Sequence, residues 1–170
     1  MIKLNIGCGL DYRNGYINID GSEELEHVDK IINFDVDSIK NHFGDNTVDF
    51  ILANDFVEHH FHWEATQLLE DFYQVLTEGG SCEIRVPNTE FIILSKHLTT
   101  AQKVTLLYGG QDIPQGTNEE SNNSRRKNPQ FFCHKYGWTE SSLTSKMSSI
   151  GFKKIHVRKE GTNIVLNAHK

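Results

Sequence analysis

Four short stretches of this 170-residue chain end in residues suited to hold a polar small molecule. The first is Leu4-Asn5-Ile6, which runs into Gly7-Cys8-Gly9. Two glycines there let the backbone turn sharply and let a ligand approach with no Cβ in the way. A G-x-G of this kind also serves as a plain tight turn. The second, Tyr16-Ile17-Asn18-Ile19, ends in Asp20, whose carboxylate can accept hydrogen bonds from both vicinal hydroxyls of a ribose. The third ends in Asp35-Val36, a polar-then-apolar pair matched to the edge and face of an adenine, and the fourth ends in Asn54-Asp55. Taken singly, each of these polar residues is a common turn former or helix cap. Taken together, at the ends of four strands on one edge of a sheet, they describe a nucleoside pocket.

The elements that must position them follow an alternating pattern of strands and helices, the signature of a parallel α/β architecture. Strands are predicted at Lys3 to Ile6, Tyr16 to Ile19, Lys30 to Phe34, Val48 to Ala53 and Ser81 to Val86. A short helix is expected near Asp55 to His59. A longer one spans Trp63 to Leu76, where Leu68, Leu69, Phe72, Val75 and Leu76 make one apolar face. Glu78-Gly79-Gly80 is read as its stop. A further helical region covers Glu90 to Leu107. From Gln111 to Gln130 the only aliphatic or aromatic residue is Ile113, and Pro114 and Pro129 fall there too. This segment (about 110–131) cannot build a core, so it is read as a polar lid or insert loop within a single domain, 1–170. Thr139 caps a helix from Glu140 to Ser149 that Gly151 ends. Phe152 to Arg158 and Asn163 to Ala168 then form an antiparallel hairpin.

Composition narrows the function classes. With 37% hydrophobic and 24% charged residues the chain can fold, and it contains no apolar run of the roughly 20 residues that span a bilayer. Lys and Arg total 17 against 23 Asp and Glu, giving −6. That balance disfavours a nucleic-acid partner, which calls for a basic face, and suits a small-molecule substrate. The one dense basic cluster, Arg125-Arg126-Lys127, reads as a solvated loop tip. Cys8, Cys82 and Cys133 are an odd number of scattered thiols with no CxxC, which fits free cysteines in a reducing compartment. No signal peptide precedes Lys3, and the reading is of a soluble, cytoplasmic protein.

With these stretches in hand, the chain resembles the class I S-adenosylmethionine-dependent methyltransferases, in particular their small generic "methyltransferase type 11" branch. The likeness rests on Leu4-Asn5-Ile6-Gly7-Cys8-Gly9, Tyr16-Ile17-Asn18-Ile19-Asp20, Val48 through Asn54, Val57-Glu58-His59, Val75-Leu76-Thr77-Glu78-Gly79-Gly80, Arg85-Val86-Pro87-Asn88, and Gly137-Trp138-Thr139 through Gly151-Phe152. It implies a Rossmann-like three-layer sandwich whose seven-stranded, mostly parallel sheet has an antiparallel C-terminal strand. It also implies S-adenosyl-L-methionine as cofactor. Gly7, Cys8 and Gly9 would lie against its methionine portion, Asp20 would hold its ribose, Asp35 and Val36 would meet its adenine, and Asn54 would approach its amino acid. Two departures stand out: Asn5 replaces the family's usual acidic residue, and Leu10 to Gly15 is too short for a full crossover helix.

Methyl transfer needs a general base only when the acceptor must lose a proton. His59 and His134 are the candidate catalytic residues, since histidine titrates near neutral pH. Each also has a structural reading: His59 orders the helix after the fourth strand, and His134 packs beside Phe131 and Phe132. The run Glu58-His59-His60-Phe61-His62 lacks the H-E-x-x-H spacing, and adjacent helical positions diverge by about 100°, so no metal is assigned. The expected activity is methyl transfer to a small-molecule or saccharide-like acceptor. A non-catalytic cofactor-binding or partner subunit is the alternative, and a nicotinamide reductase is disfavoured by the missing pyrophosphate-binding helix.

Overall fold

The computed structural model describes residues 1–112 and 118–170. It holds a seven-stranded sheet built from β1 (Lys3–Ile6), β2 (Ile17–Asp20), β3 (Lys30–Ile31), β4 (Val48–Asn54), β5 (Leu76–Pro87), β6 (Lys153–Glu160) and β7 (Asn163–His169). The strand order is β3-β2-β1-β4-β5-β7-β6. β1 through β5 pair in parallel, while β7 pairs antiparallel with both β5 and β6. The chain lays strands outward from β1 to β3 and then returns to place β4 on the other side of β1. That reversal opens a crevice at the carboxyl ends of β1 and β4, where open α/β sheets bind ligands.

β4 is buried at a continuous apolar run, Ile51-Leu52-Ala53, whereas β1 and β2 alternate apolar residues with the buried Asn5 and Asn18. Leu4 and Ile6 of β1 and Ile51, Leu52 and Ala53 of β4 are all buried. Helix α1 (His62–Val75) buries Leu68, Leu69, Phe72 and Val75 in the same core, and α5 (Glu140–Ile150) adds Leu143 and Met147. Thr139 caps α5, accepting from the Ser142 N–H at 3.1 Å. No helix among the described residues is long and apolar enough to cross a membrane.

The turn-rich Leu10 to Gly15 connection carries no helix, and a side-chain network takes over its anchoring. Buried Asn5 donates from Nδ2 to the Asp11 carbonyl (2.7 Å) and to Asn18 Oδ1 (2.9 Å). Asn18 in turn donates from its backbone N–H and Nδ2 to Asp29 Oδ2, at 2.7 and 2.9 Å. These donors hold the Asp29 carboxyl below the usual carboxylate range. An acidic residue in place of Asn5 has no N–H to give to Asp11 or Asn18, so the network depends on the amide.

Three local expectations change. First, α1 ends at Val75 without help from glycine, because Leu76 is already extended (φ −65°, ψ 138°) and starts β5. Gly79 and Gly80 lie inside β5, where the register against β4 slips from Val48–Leu76 to Phe50–Ser81. They form a bulge instead of a helix cap: Gly79 has φ +79°, and a Cβ on Gly80 would lie 2.9 Å from the Thr77 carbonyl oxygen. Second, the region Glu90 to Leu107 is two helices, α2 (Thr89–Leu94) and α3 (Thr100–Tyr108). Thr99 and Gln102 form a capping box that restarts the helix after extended Ser95.

Third, the polar stretch is not all loop. Ile113 and Pro114 lie outside the described residues, but α4 occupies Glu119–Lys127. Asn118 Oδ1 accepts from the Ser121 N–H at 3.2 Å, acidic Glu119 and Glu120 fill the first turn, and Arg125, Arg126 and Lys127 fill the last. This charge order opposes the helix macrodipole and substitutes for an apolar face. The basic cluster is therefore a helix C-terminus, with Lys127 2.5 Å from Glu24 and Arg125 4.2 Å over the Phe132 ring.

Two substitutions probe this frame. Phe72→Ala, in a fully buried ring site, should lower unfolding stability by about 3–5 kcal/mol in urea titrations. Gly7 has φ +65°, and a Cβ there would lie 2.3 Å from Phe56 Cδ2. Gly7→Ala should therefore destabilise by at least about 1 kcal/mol and displace the Phe56 ring, seen as a changed Phe56 environment by NMR.

Candidate functional site

A cleft opens at the crevice between the β1 and β4 ends, with about 820 Å³ of open space including its mouth. Gly7 and Gly9 form part of its wall, both with positive φ (65° and 51°). The turn is tied to the neighbouring strand at two points. The Cys8 N–H donates to the Ile19 carbonyl at 3.0 Å, and the Gly9 N–H donates to Asp20 Oδ2 at 2.9 Å. Asp20 Oδ1 accepts from the Ser22 N–H at 3.0 Å. The carboxylate is thus held rigidly on the cleft wall, and each oxygen keeps lone-pair capacity for a ligand hydroxyl. Burial raises the Asp20 pKa, and the backbone donors oppose that rise without cancelling it.

Of the residues singled out in the sequence, Gly7, Gly9, Asp20, Asp35, Asp55 and His59 line this cleft. β3 stops at Ile31 instead of Phe34, so Asp35 does not close a strand but lies within the turn that follows, where it pairs with Lys135 at 3.2 Å. Cys8, Val36, Asn54 and His134 are not among the lining residues. Cys8 lies buried beneath the turn, and burial together with nearby Asp20 pushes its thiol up to about 12, so it is inert. Val36 is 84% exposed. Asn54 Oδ1 is buried with no hydrogen-bond partner among the described residues.

Much of the remaining wall escaped the sequence reading. Leu25, Ile32, Phe34, Phe56 and Phe131 supply an apolar surface, with Phe34 and Phe56 in edge contact at 5.2 Å. Such walls suit a planar ring. Ser121 and Ser124 of α4 close one side, which makes the charged helix part of the site. The signal for the aromatic wall was present in Phe131-Phe132, but nothing local shows that it faces Gly21, whose Cβ position lies 3.3 Å from the Phe131 ring.

His59 and His134 do come together, with ring centroids 4.9 Å apart. Each has Nδ1 against a backbone carbonyl: His59 against Cys133 (3.1 Å) and His134 against Leu106 (3.0 Å). Burial lowers both pKa values, His59 to about 3, so both imidazoles are neutral near pH 7. Beside them Glu58 is buried, and neither carboxyl oxygen has a hydrogen-bond partner among the described residues. Burial drives its pKa well above the ordinary carboxylate range.

No protein-family model and no curated protein sequence matches the chain. Solved structures do match over nearly its whole length. A S-adenosylmethionine-dependent methyltransferase from Archaeoglobus fulgidus aligns over 99% of this chain and 85% of its own, at TM-score 0.61 and 15% identity. One from Mesorhizobium loti aligns over 99% and 90%, at TM-score 0.61 and 11% identity. One from Methanosarcina mazei aligns over 99% and 91%, at TM-score 0.62 and 17% identity. The chain therefore has the Rossmann-like fold of the S-adenosylmethionine-dependent methyltransferases.

Proposed function

We propose that the protein is a S-adenosylmethionine-dependent methyltransferase acting on a small-molecule or saccharide-like acceptor. The observation that carries this reading is the Asp20 carboxylate, fixed by the Gly9 and Ser22 N–H groups beside a left-handed glycine turn. That arrangement fits a ribose diol next to a ligand segment that passes close to the backbone. The aromatic wall fits an adenine. A pyrophosphate is a poor fit, since no helix N-terminus follows Gly9 to hold it.

In this reading Asp20 accepts from the ribose hydroxyls, Gly7 and Gly9 admit the methionine portion, and Phe34 and Phe131 flank the base. Asp35 lies at the base's edge, with Lys135 balancing its charge. Val36 and Asn54 would take part only after local movement, because neither lines the cleft. When bound, the cofactor supplies an activated methyl on its sulfonium. What remains for the protein is alignment and exclusion of water. The α4 helix suits both tasks, since it walls the cleft and rests on Glu24 and Phe132 through its basic end. His59 is the candidate base that reaches the cleft, and burial, which lowers its pKa to about 3, makes it a weak one unless substrate binding changes its surroundings.

Isothermal titration with S-adenosylhomocysteine tests the reading: micromolar binding is expected, and no heat at high micromolar ligand sinks it. Asp20→Ala should weaken binding more than about tenfold, because ribose hydroxyls lose their acceptor. The pH dependence has a definite sign. Hydroxyl donors favour the ionised carboxylate, so affinity is full above the Asp20 pKa and falls as acid protonates it. Because burial raises that pKa, the fall should begin at a higher pH than for an exposed aspartate, and Asp20→Ala should abolish that step.

A further inference from the structure

We propose that Glu58, His59 and His134 form a binding site for one divalent transition-metal ion beside the cleft. One donor atom from each lies within 4.8 Å of the others, and His134 Nε2 lies 4.0 Å from Glu58 Oε1. Metal–ligand bonds of about 2.0–2.2 Å need these donors roughly an ångström closer, within reach of small side-chain rotations.

Several independent features point the same way. Glu58 is 1% exposed, and both its oxygens lack a hydrogen-bond partner among the described residues. A buried carboxyl left in that condition is costly unless something binds it. Protein cations nearby are otherwise engaged: Arg85 holds Asp55, and Lys135 holds Asp35. Each histidine uses Nδ1 at a backbone carbonyl, which leaves the Nε2 lone pair free and fixes the ring. That carbonyl-anchored tautomer is the usual arrangement behind a metal-bound imidazole.

Two neutral imidazoles and one carboxylate select zinc, manganese or iron(II) over calcium or magnesium. The clustered histidines in the sequence do not reveal the site, because only Glu58 and His59 are neighbours. The third ligand arrives from another part of the fold, on the segment that bridges to α3 through the Gly109–Cys133 pairing. Three protein ligands leave a coordination position open. Of the three only His59 lines the cleft, so a bound metal would act as a Lewis acid there on an acceptor oxygen that reaches it past His59. Both histidines then act through the metal and not as bases themselves. That catalytic role rests on the methyltransferase reading; the binding of metal does not.

The test is titration of Zn2+ into the full chain, stripped of metal with a chelator, followed by calorimetry. One equivalent binding at micromolar Kd or tighter is expected. Glu58→Gln and His134→Ala should each weaken binding at least about tenfold, while His156→Ala, on exposed β6, should leave it unchanged. No binding by the wild type overturns the site, as does unchanged affinity in the Glu58→Gln variant, which keeps the side-chain shape and so guards against a folding defect in His134→Ala. S-adenosylhomocysteine titrated into the same samples separates the two conclusions. Cofactor-product binding without Zn2+ binding overturns the metal site alone. Zn2+ binding without it leaves the metal site standing and overturns the methyltransferase reading.

Discussion

The candidate site depends on how the central strand β1 ends. At Gly7 and Gly9 the backbone enters the left-handed region, and Phe56 comes so close to Gly7 that no side chain fits there. The turn would be loose if nothing held it. It is pinned by Cys8 to the Ile19 carbonyl and by Gly9 to the Asp20 carboxylate. Asp20 therefore both fastens the turn and presents lone pairs to the cleft. Its raised pKa is the electrostatic trace of that double duty, because a carboxylate held at a partly dry wall is easier to protonate.

Burial has opposite consequences on the two sides of the cleft. Around Asp20, backbone N–H donors compensate a buried charge. Around Glu58 neither carboxyl oxygen has a hydrogen-bond partner among the described residues, and burial holds His59 and His134 neutral while their Nδ1 atoms face carbonyls. One wall is thus built to accept hydrogen bonds from a neutral ligand, while the other gathers Lewis-basic atoms around a shared point.

The parallel sheet was legible because central strands such as Leu4 to Ile6 and Val48 to Ala53 are short, mainly apolar segments of the right length, ending in glycine or polar residues. The Gly7, Gly9 and Asp20 cluster was legible for the same reason, since strand ends share one edge by topology. What escaped depends on tertiary contact. Gly79 and Gly80 look like a helix stop in isolation, yet the register with β4 turns them into a bulge. Residues of α4 look like a loop because they have no apolar face, and it is capping and charge order that make the helix. Val36 follows a pocket aspartate in sequence but points elsewhere, because the chain turns at Asn33, whose Oδ1 takes the Asp35 N–H at 3.0 Å. The pairing of His59 with His134 is long-range and leaves no local pattern to read.

The way α4 is attached bears on how such a protein can diversify. The helix contributes one buried residue, Ser124, and is otherwise held by charge at its surface. None of the apolar core that stabilises the sheet comes from it. Substitutions along its inner face can therefore accumulate at little expense to folding, while the glycine turn and Asp20 stay under strict geometric constraint. Changes at Ser121 and Ser124 thus reshape the cleft wall while leaving the apolar core of the sheet and the glycine turn as they are.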